Sequence, residues 1–289
     1  MEGTALKTHT PLILLAFGLA ILLTACYSMP FKAAAFTAPS DSRADFRFDL
    51  ANVADVGTAY HYRKSNQDGS NAAEEWNYIS SATHTESFKL YTFTKLQGRT
   101  DLVTADYDSA YFSTSNTNAY LVAPNGTRSL NFATQTSAGL DCMVGARDPK
   151  YAVKFGHVPS FNYNFDWCDF AFMYRHLVDK DASFEIGVSS ITSDYRLIYA
   201  GMARLNYQGR QNYLGHDCRF YTVDGPAFAP NTGRLYVDAA SNILVELNMS
   251  ARNNPTFASF RYSLLDSFGA TAQEWDAFIL QKTREILKR

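Results

Sequence analysis

Apolar and polar residues change rhythm three times along this chain. From Leu12 to Leu23 every residue is apolar except Gly18. A helix crossing a bilayer needs roughly twenty apolar residues, so a run this short predicts the core of a cleavable signal peptide. Residues 27–45, with Pro30, an Ala-rich stretch, Pro39 and Asp41-Ser42, predict a solvated spacer. From residue 46 to about 265 the dominant period is two, which predicts strands. From Thr271 onward it is helical: Thr271-Ala272-Gln273-Glu274 has the form of a capping box, and Trp275, Phe278, Ile279 and Ile286 fall on one stripe of a helix over 271–288.

Several strands can be placed. Asn125-Gly126 predicts a tight type I′ hairpin, with Leu121 opposite Leu130 and Ala119 opposite Phe132 on the apolar face. Odd positions from Tyr195 to Tyr207 (Tyr195, Leu197, Tyr199, Gly201, Ala203, Leu205, Tyr207) are apolar or small, predicting a strand about twice the usual length, bent at Gly201. Phe161, Tyr163, Phe165 and Trp167 alternate with polar residues, and the aromatics resume on even numbers at Phe170, Phe172 and Tyr174. Read as strand, that slip requires one extra residue, a β-bulge or corner near Cys168-Asp169, with a connecting turn as the alternative. Further strands are predicted at Tyr213–Val223, Gly233–Asp238, Ile243–Met249 and about Thr256–Leu264. The fold class that follows is mainly β: one large curved antiparallel sheet, half-barrel or barrel-like, with a C-terminal amphipathic helix. The domain reading is 1–25 signal peptide, 26–45 tether and 46–289 a single β-rich domain.

At the end of the first apolar run stands Leu23-Thr24-Ala25-Cys26. This tetrapeptide resembles the bacterial lipobox, in which Leu and two small residues are read by the signal peptidase and the Cys thiol receives a diacylglyceryl group. The resemblance implies that Cys26 is lipidated and becomes the first residue of a bilayer-anchored protein. Tyr27, rather than Asp, follows it. By analogy with lipoprotein sorting in Gram-negative bacteria, that implies the periplasmic face of the outer membrane.

Composition narrows the body. Removing 25 of 289 residues leaves 264, room for one large domain or two small ones. The 21 Phe and 18 Tyr, with only 19% charged residues, favour a β-rich globular body over disorder. A formal net charge of -2 gives no reason to expect a nucleic-acid partner. Beyond Cys26 the cysteines are Cys142, Cys168 and Cys218; an oxidising periplasm favours one disulfide among them, with all three pairings open. Their spacing suits no metal site, and no cofactor motif is present.

Gly215-His216-Asp217-Cys218-Arg219-Phe220-Tyr221-Thr222-Val223-Asp224-Gly225-Pro226, with Gly233-Arg234-Leu235-Tyr236-Val237-Asp238, resembles the back half of periplasmic Lol-type lipoprotein-carrier half-barrels. The resemblance spans about residues 213–264. It implies a curved sheet half-wrapping helices around an apolar cavity.

Three functions follow as expectations. The leading one is a non-catalytic lipoprotein binding an apolar ligand, a lipid or acyl chain, in a pocket lined by Phe161, Tyr163, Phe165, Trp167, Tyr195, Leu197, Tyr199 and Leu205. The second is an envelope scaffold that docks a protein partner. The third is a hydrolase built on His176 or His216 with a neighbouring Asp. A filled sheet interior would count against the first.

Overall fold

A computed structural model describes residues 45–92, 98–109, 113–136, 140–144, 152–153, 160–162, 167–191, 197–250 and 259–286. The signal peptide, the lipobox and nearly all of the spacer lie outside the described residues. So do Tyr163, Phe165 and Tyr195.

Among the described residues fifteen strands form one sheet: β1 (Thr58–Ser65), β2 (Ala73–Ser81), β3 (His84–Tyr91), β4 (Thr100–Asp108), β5 (Ser113–Val122), β6 (Arg128–Thr136), β7 (Leu140–Val144), β8 (Ala152–Val153), β9 (Ser160–Asn162), β10 (Phe184–Ile191), β11 (Leu197–Tyr213), β12 (His216–Asp224), β13 (Gly233–Asp238), β14 (Leu244–Ser250) and β15 (Ser259–Gly269). Two α-helices accompany them among the described residues, α1 (Trp167–Arg175) and α2 (Ala272–Ile286). The hairpin-linked ladder β4-β3-β2-β1 joins β15-β14-β13-β12-β11-β10 through an antiparallel β1–β15 pair. The sheet is not a closed barrel. β5 pairs with β4 along its length but meets β9 through one residue pair, Ser113 opposite Ser160, while β6, β7 and β8 continue outward from β5. The predicted mainly β fold with a C-terminal helix is therefore the observed one.

Strand periodicity assigns the two faces. On β2, Trp76 and Tyr78 join Phe88, Leu90 and Leu102 beneath α2, which contributes Trp275 and Ile279. The other face of β10–β15 supplies Ile186, Val188, Ala203, Leu205, Tyr221, Val223, Leu235 and Leu247 to the main core, and α1 adds Phe170, Phe172, Met173 and Tyr174. The two helices thus cover opposite faces of one sheet. α2 begins as its capping box requires, with Thr271 N–H donating to Glu274 Oε2 (2.8 Å) and Glu274 N–H to Thr271 Oγ1 (3.3 Å).

Three sequence expectations are corrected. The aromatic stretch at 167–175 is the helix α1, not a bulged strand. Phe170, Phe172, Met173 and Tyr174 are all at least 98% buried, and with consecutive large apolar residues buried the helix shows no clean stripe to tell it from a strand. The strand expected over Tyr213–Val223 is interrupted at once, because Leu214 and Gly215 both take positive φ (50° and 86°) and turn β11 into β12. The β5–β6 connection is longer than the tight turn Asn-Gly predicts. Gly126 N–H donates to Ala123 O (2.8 Å), only Gly126 has positive φ, and a bulge between Ala119 and Tyr120 shifts the register. Ala119 still faces Phe132, but Tyr120 faces Leu130, so Val122 is buried beneath α2 and Leu121 is exposed.

The long strand carries its expected bend. β11 runs 17 residues, and Gly201 (φ 116°) marks a register shift against β10. A Cβ there would lie 3.0 Å from Pro226 Cβ, so glycine answers both the backbone and the close approach.

Candidate functional site

The inner face, which α1 covers, divides by chemistry. Its apolar half is packed: Phe170, Ile186, Ala203, Leu205, Val223 and Leu247 are among the residues around a residual cavity of about 10 Å³. That holds about one water, against the several hundred Å³ of a ligand pocket. α1 packs against this half through Phe170, Phe172, Met173 and Tyr174. Leu205 is the one predicted lining residue whose side chain is described, and it belongs to this filled core. Phe161 lies in β9, Trp167 begins α1, and Leu197 and Tyr199 lie in β11, but their side chains fall outside the described residues.

The polar half lies on β2–β4. Glu75, Lys89 and Asp101 stand directly opposite one another across three strands, at 1%, 4% and 8% exposure. Glu75 Oε1 accepts from Tyr262 OH (2.7 Å) and Ser87 Oγ (3.1 Å), Asn77 Nδ2 donates to Tyr262 OH (2.7 Å), and Arg99 Nε donates to both Asp101 oxygens. Buried charges of alternating sign with hydrogen-bond partners are the arrangement in which ionised groups tolerate burial.

The segment following the spacer clamps the end of α1. Arg47 N–H donates to His176 O and Val178 N–H to Asp45 O, both at 2.8 Å, bracketing a bridge between Phe46 and Leu177. Arg175, 4% exposed, donates to Asp55, which also accepts from Tyr60 OH at 2.5 Å. Burial first, and then the Asp55 carboxylate, push the Tyr60 hydroxyl well above its ordinary range.

The histidines of the hydrolase reading are not gathered into one site. His176 Nδ1 accepts from Asp49 N–H (3.2 Å), and its ring stacks on Phe48. Burial, with the charges of Arg175 and Lys180, pushes its pKa down to about 4 and keeps the ring neutral. His216 sits at the β12–β13 margin, 3.1 Å from Asp238. Cys218 is a free, buried thiol whose pKa burial raises to about 11, the reverse of a reactive cysteine. Cys142 and Cys168 have side chains outside the described residues. Among the described residues no group of three or more His, Cys, Asp or Glu could hold a metal ion, and no helix is long and apolar enough to cross a membrane.

On the outer face a cleft of about 300 Å³ separates α2 from the β5–β6 hairpin, lined by Val122, Gly126, Arg128, Asp276, Ile279 and Leu280. Arg128 bridges it to Asp276 at 2.5 Å, and Arg284 Nε donates to Pro124 O at 3.1 Å.

No family model and no curated protein matches the chain. Solved structures with a similar arrangement include a domain named for outer membrane lipoprotein sorting, from Vibrio parahaemolyticus (10% identity, TM-score 0.33, covering 80% of this chain and 94% of that one). MucB in complex with MucA is another, from Pseudomonas aeruginosa in one instance (12% identity, TM-score 0.28, covering 78% of this chain). The chain spans under three fifths of the length of the MucB structures. Scores this low assign neither family nor function.

Proposed function

We propose that this chain is a non-catalytic lipoprotein of the bacterial cell envelope, anchored by acylated Cys26, whose β-rich body binds a protein partner at its surface rather than carrying a lipid inside. The anchoring rests on Leu23-Thr24-Ala25-Cys26 after a short apolar run. One observation favours a surface partner: where α1 packs on the apolar half of the inner face, the cavity among the described residues is only about 10 Å³. An acyl chain would have to expel a helix that contributes four large, almost fully buried side chains. His176, held by a backbone N–H and stacked on Phe48, gives no support to hydrolysis, and His216, which does lie 3.1 Å from Asp238, pairs with it at the margin of β12 and β13 rather than in the buried interior.

Three measurements on the full chain test this, two in its host and one on the purified protein. Cys26→Ala should move the protein from the membrane to the soluble fraction. Crosslinking in cells should give a defined protein adduct, and native mass spectrometry of the purified protein should show no bound lipid beyond its own acyl groups. Stoichiometric co-purifying lipid would restore the carrier reading, and membrane retention of the Cys26→Ala chain would remove the anchor.

A further inference from the structure

α2 is fastened to the outer face through a chain of polar contacts that begins on three neighbouring strands. Asn116 of β5 donates to Asp106 of β4 (3.1 Å), and Asp106 lies 2.5 Å from His84 Nδ1, directly opposite it in the β3–β4 register. His84 Nε2 is 3.8 Å from Glu86 Oε1. Glu86 Oε2 accepts from the indole Nε1 of Trp275 at 2.8 Å. Trp275 is 1% exposed and stacks on Tyr78 with ring centroids 5.0 Å apart. One imidazole therefore stands between two carboxylates, one of which holds the anchoring side chain of α2.

We infer that His84 is a proton-sensitive latch for α2, fastening the helix over the aromatic face of β2–β4 while its ring is protonated and loosening it when the proton leaves. The protonated ring satisfies both carboxylates. The neutral ring offers a donor to only one, and it leaves Glu86, largely buried, to the Trp275 N–H and the more distant charge of Arg128. Glu86, and after it Asp106, raise the pKa of His84 against the burial that lowers it. Closing Trp275 over Glu86 excludes water from that carboxylate and strengthens its pull on the ring, so the proton is held more tightly with α2 docked than lifted; the docked state is then stabilised fully at low pH and loses that stabilisation as pH rises through the raised value. The remaining charged groups facing α2 from the sheet are His61, stacked on Trp76 and paired with Glu74 (3.5 Å) and Asp266 (3.3 Å), and Arg128, paired with Asp276. On the helix, Lys282 lies over Trp76, and Glu274 is held by the cap.

Hydrogen exchange of the full chain, corrected for intrinsic rates, tests the latch at pH 5.5 and 8.5. Protection over residues 272–286 should fall on raising the pH, by up to about tenfold for each unit that docking raises the pKa, while β12 and β13 stay constant. His84→Gln should flatten the profile at the looser level, and His61→Gln should leave it in place. Should His84→Gln not fold, Asp106→Asn, on the more exposed side, should reduce the pH effect. Equal protection of α2 at both pH values, or an unchanged pH profile in His84→Gln or Asp106→Asn, would overturn the inference.

Discussion

Replacing Asp55 with alanine removes one carboxylate and strands two groups. Arg175, 4% exposed, loses its ion-pair partner, and Tyr60 OH loses its acceptor. Breaking a buried pair from one side costs about 3–5 kcal/mol, because the remaining charge stays desolvated. The Asp55 side chain is 22% exposed, so water can reach the gap and the low end, about 3 kcal/mol, is expected. That is a substantial part of the roughly 5–15 kcal/mol that stabilises a typical domain. The pH dependence carries a second signature. Burial alone would raise the Asp55 pKa, but hydrogen bonds from Arg175 and Tyr60, with the Arg175 charge, bring it below the ordinary value. A depressed folded pKa gives stability that is complete above the unfolded value, near 3.9, and that is lost as pH falls through the folded one. In urea titrations the Asp55→Ala deficit should therefore be constant between about pH 5 and 7 and shrink below about pH 4. In an Arg175→Met background, where no charge is left to strand, the same substitution should cost under about 1 kcal/mol. A deficit below about 0.5 kcal/mol at pH 7, or one equal in both backgrounds, would refute the argument that this pair clips α1 to the segment entering the body.

Thr117 is fully buried and its hydroxyl has no hydrogen-bond partner among the described residues, so Thr117→Val should stabilise the protein by about 1 kcal/mol in the same titration. Trp275→Ala should cost about 3–5 kcal/mol by opening a cavity beneath α2, read as a lowered midpoint of thermal unfolding. Gly225 has φ 107°, and a Cβ there would lie 2.6 Å from Met202 O; Gly225→Ala should cost about 3 kcal/mol through strain at the β11–β12 contact. Cys218, buried with its thiol pKa raised to about 11, should resist iodoacetamide at pH 8 in the folded protein and react after denaturation, followed by mass spectrometry.

What the sequence determined by itself was local. Period-two alternation places β13 and β14 to within a residue and the start of β11 to within two, though not its end at Tyr213, because each strand buries one face and the pattern is written in consecutive residues. Thr271 and Glu274 announce α2 because a capping box closes within one turn, and Gly201 announces the bend because few other residues accept its backbone angles. Tertiary structure decided what depends on distant partners. α1 looks like strand in sequence because consecutive large apolar residues along it are buried, and only the sheet packed against it shows why. Val122 rather than Leu121 is buried because a bulge rotates the end of β5 and a helix about 150 residues away covers that face. The Asp55–Arg175 clip and the His84–Glu86–Trp275 chain join residues up to 189 positions apart. No local pattern marks such pairs, since their energy exists only after the chain has brought them out of water together.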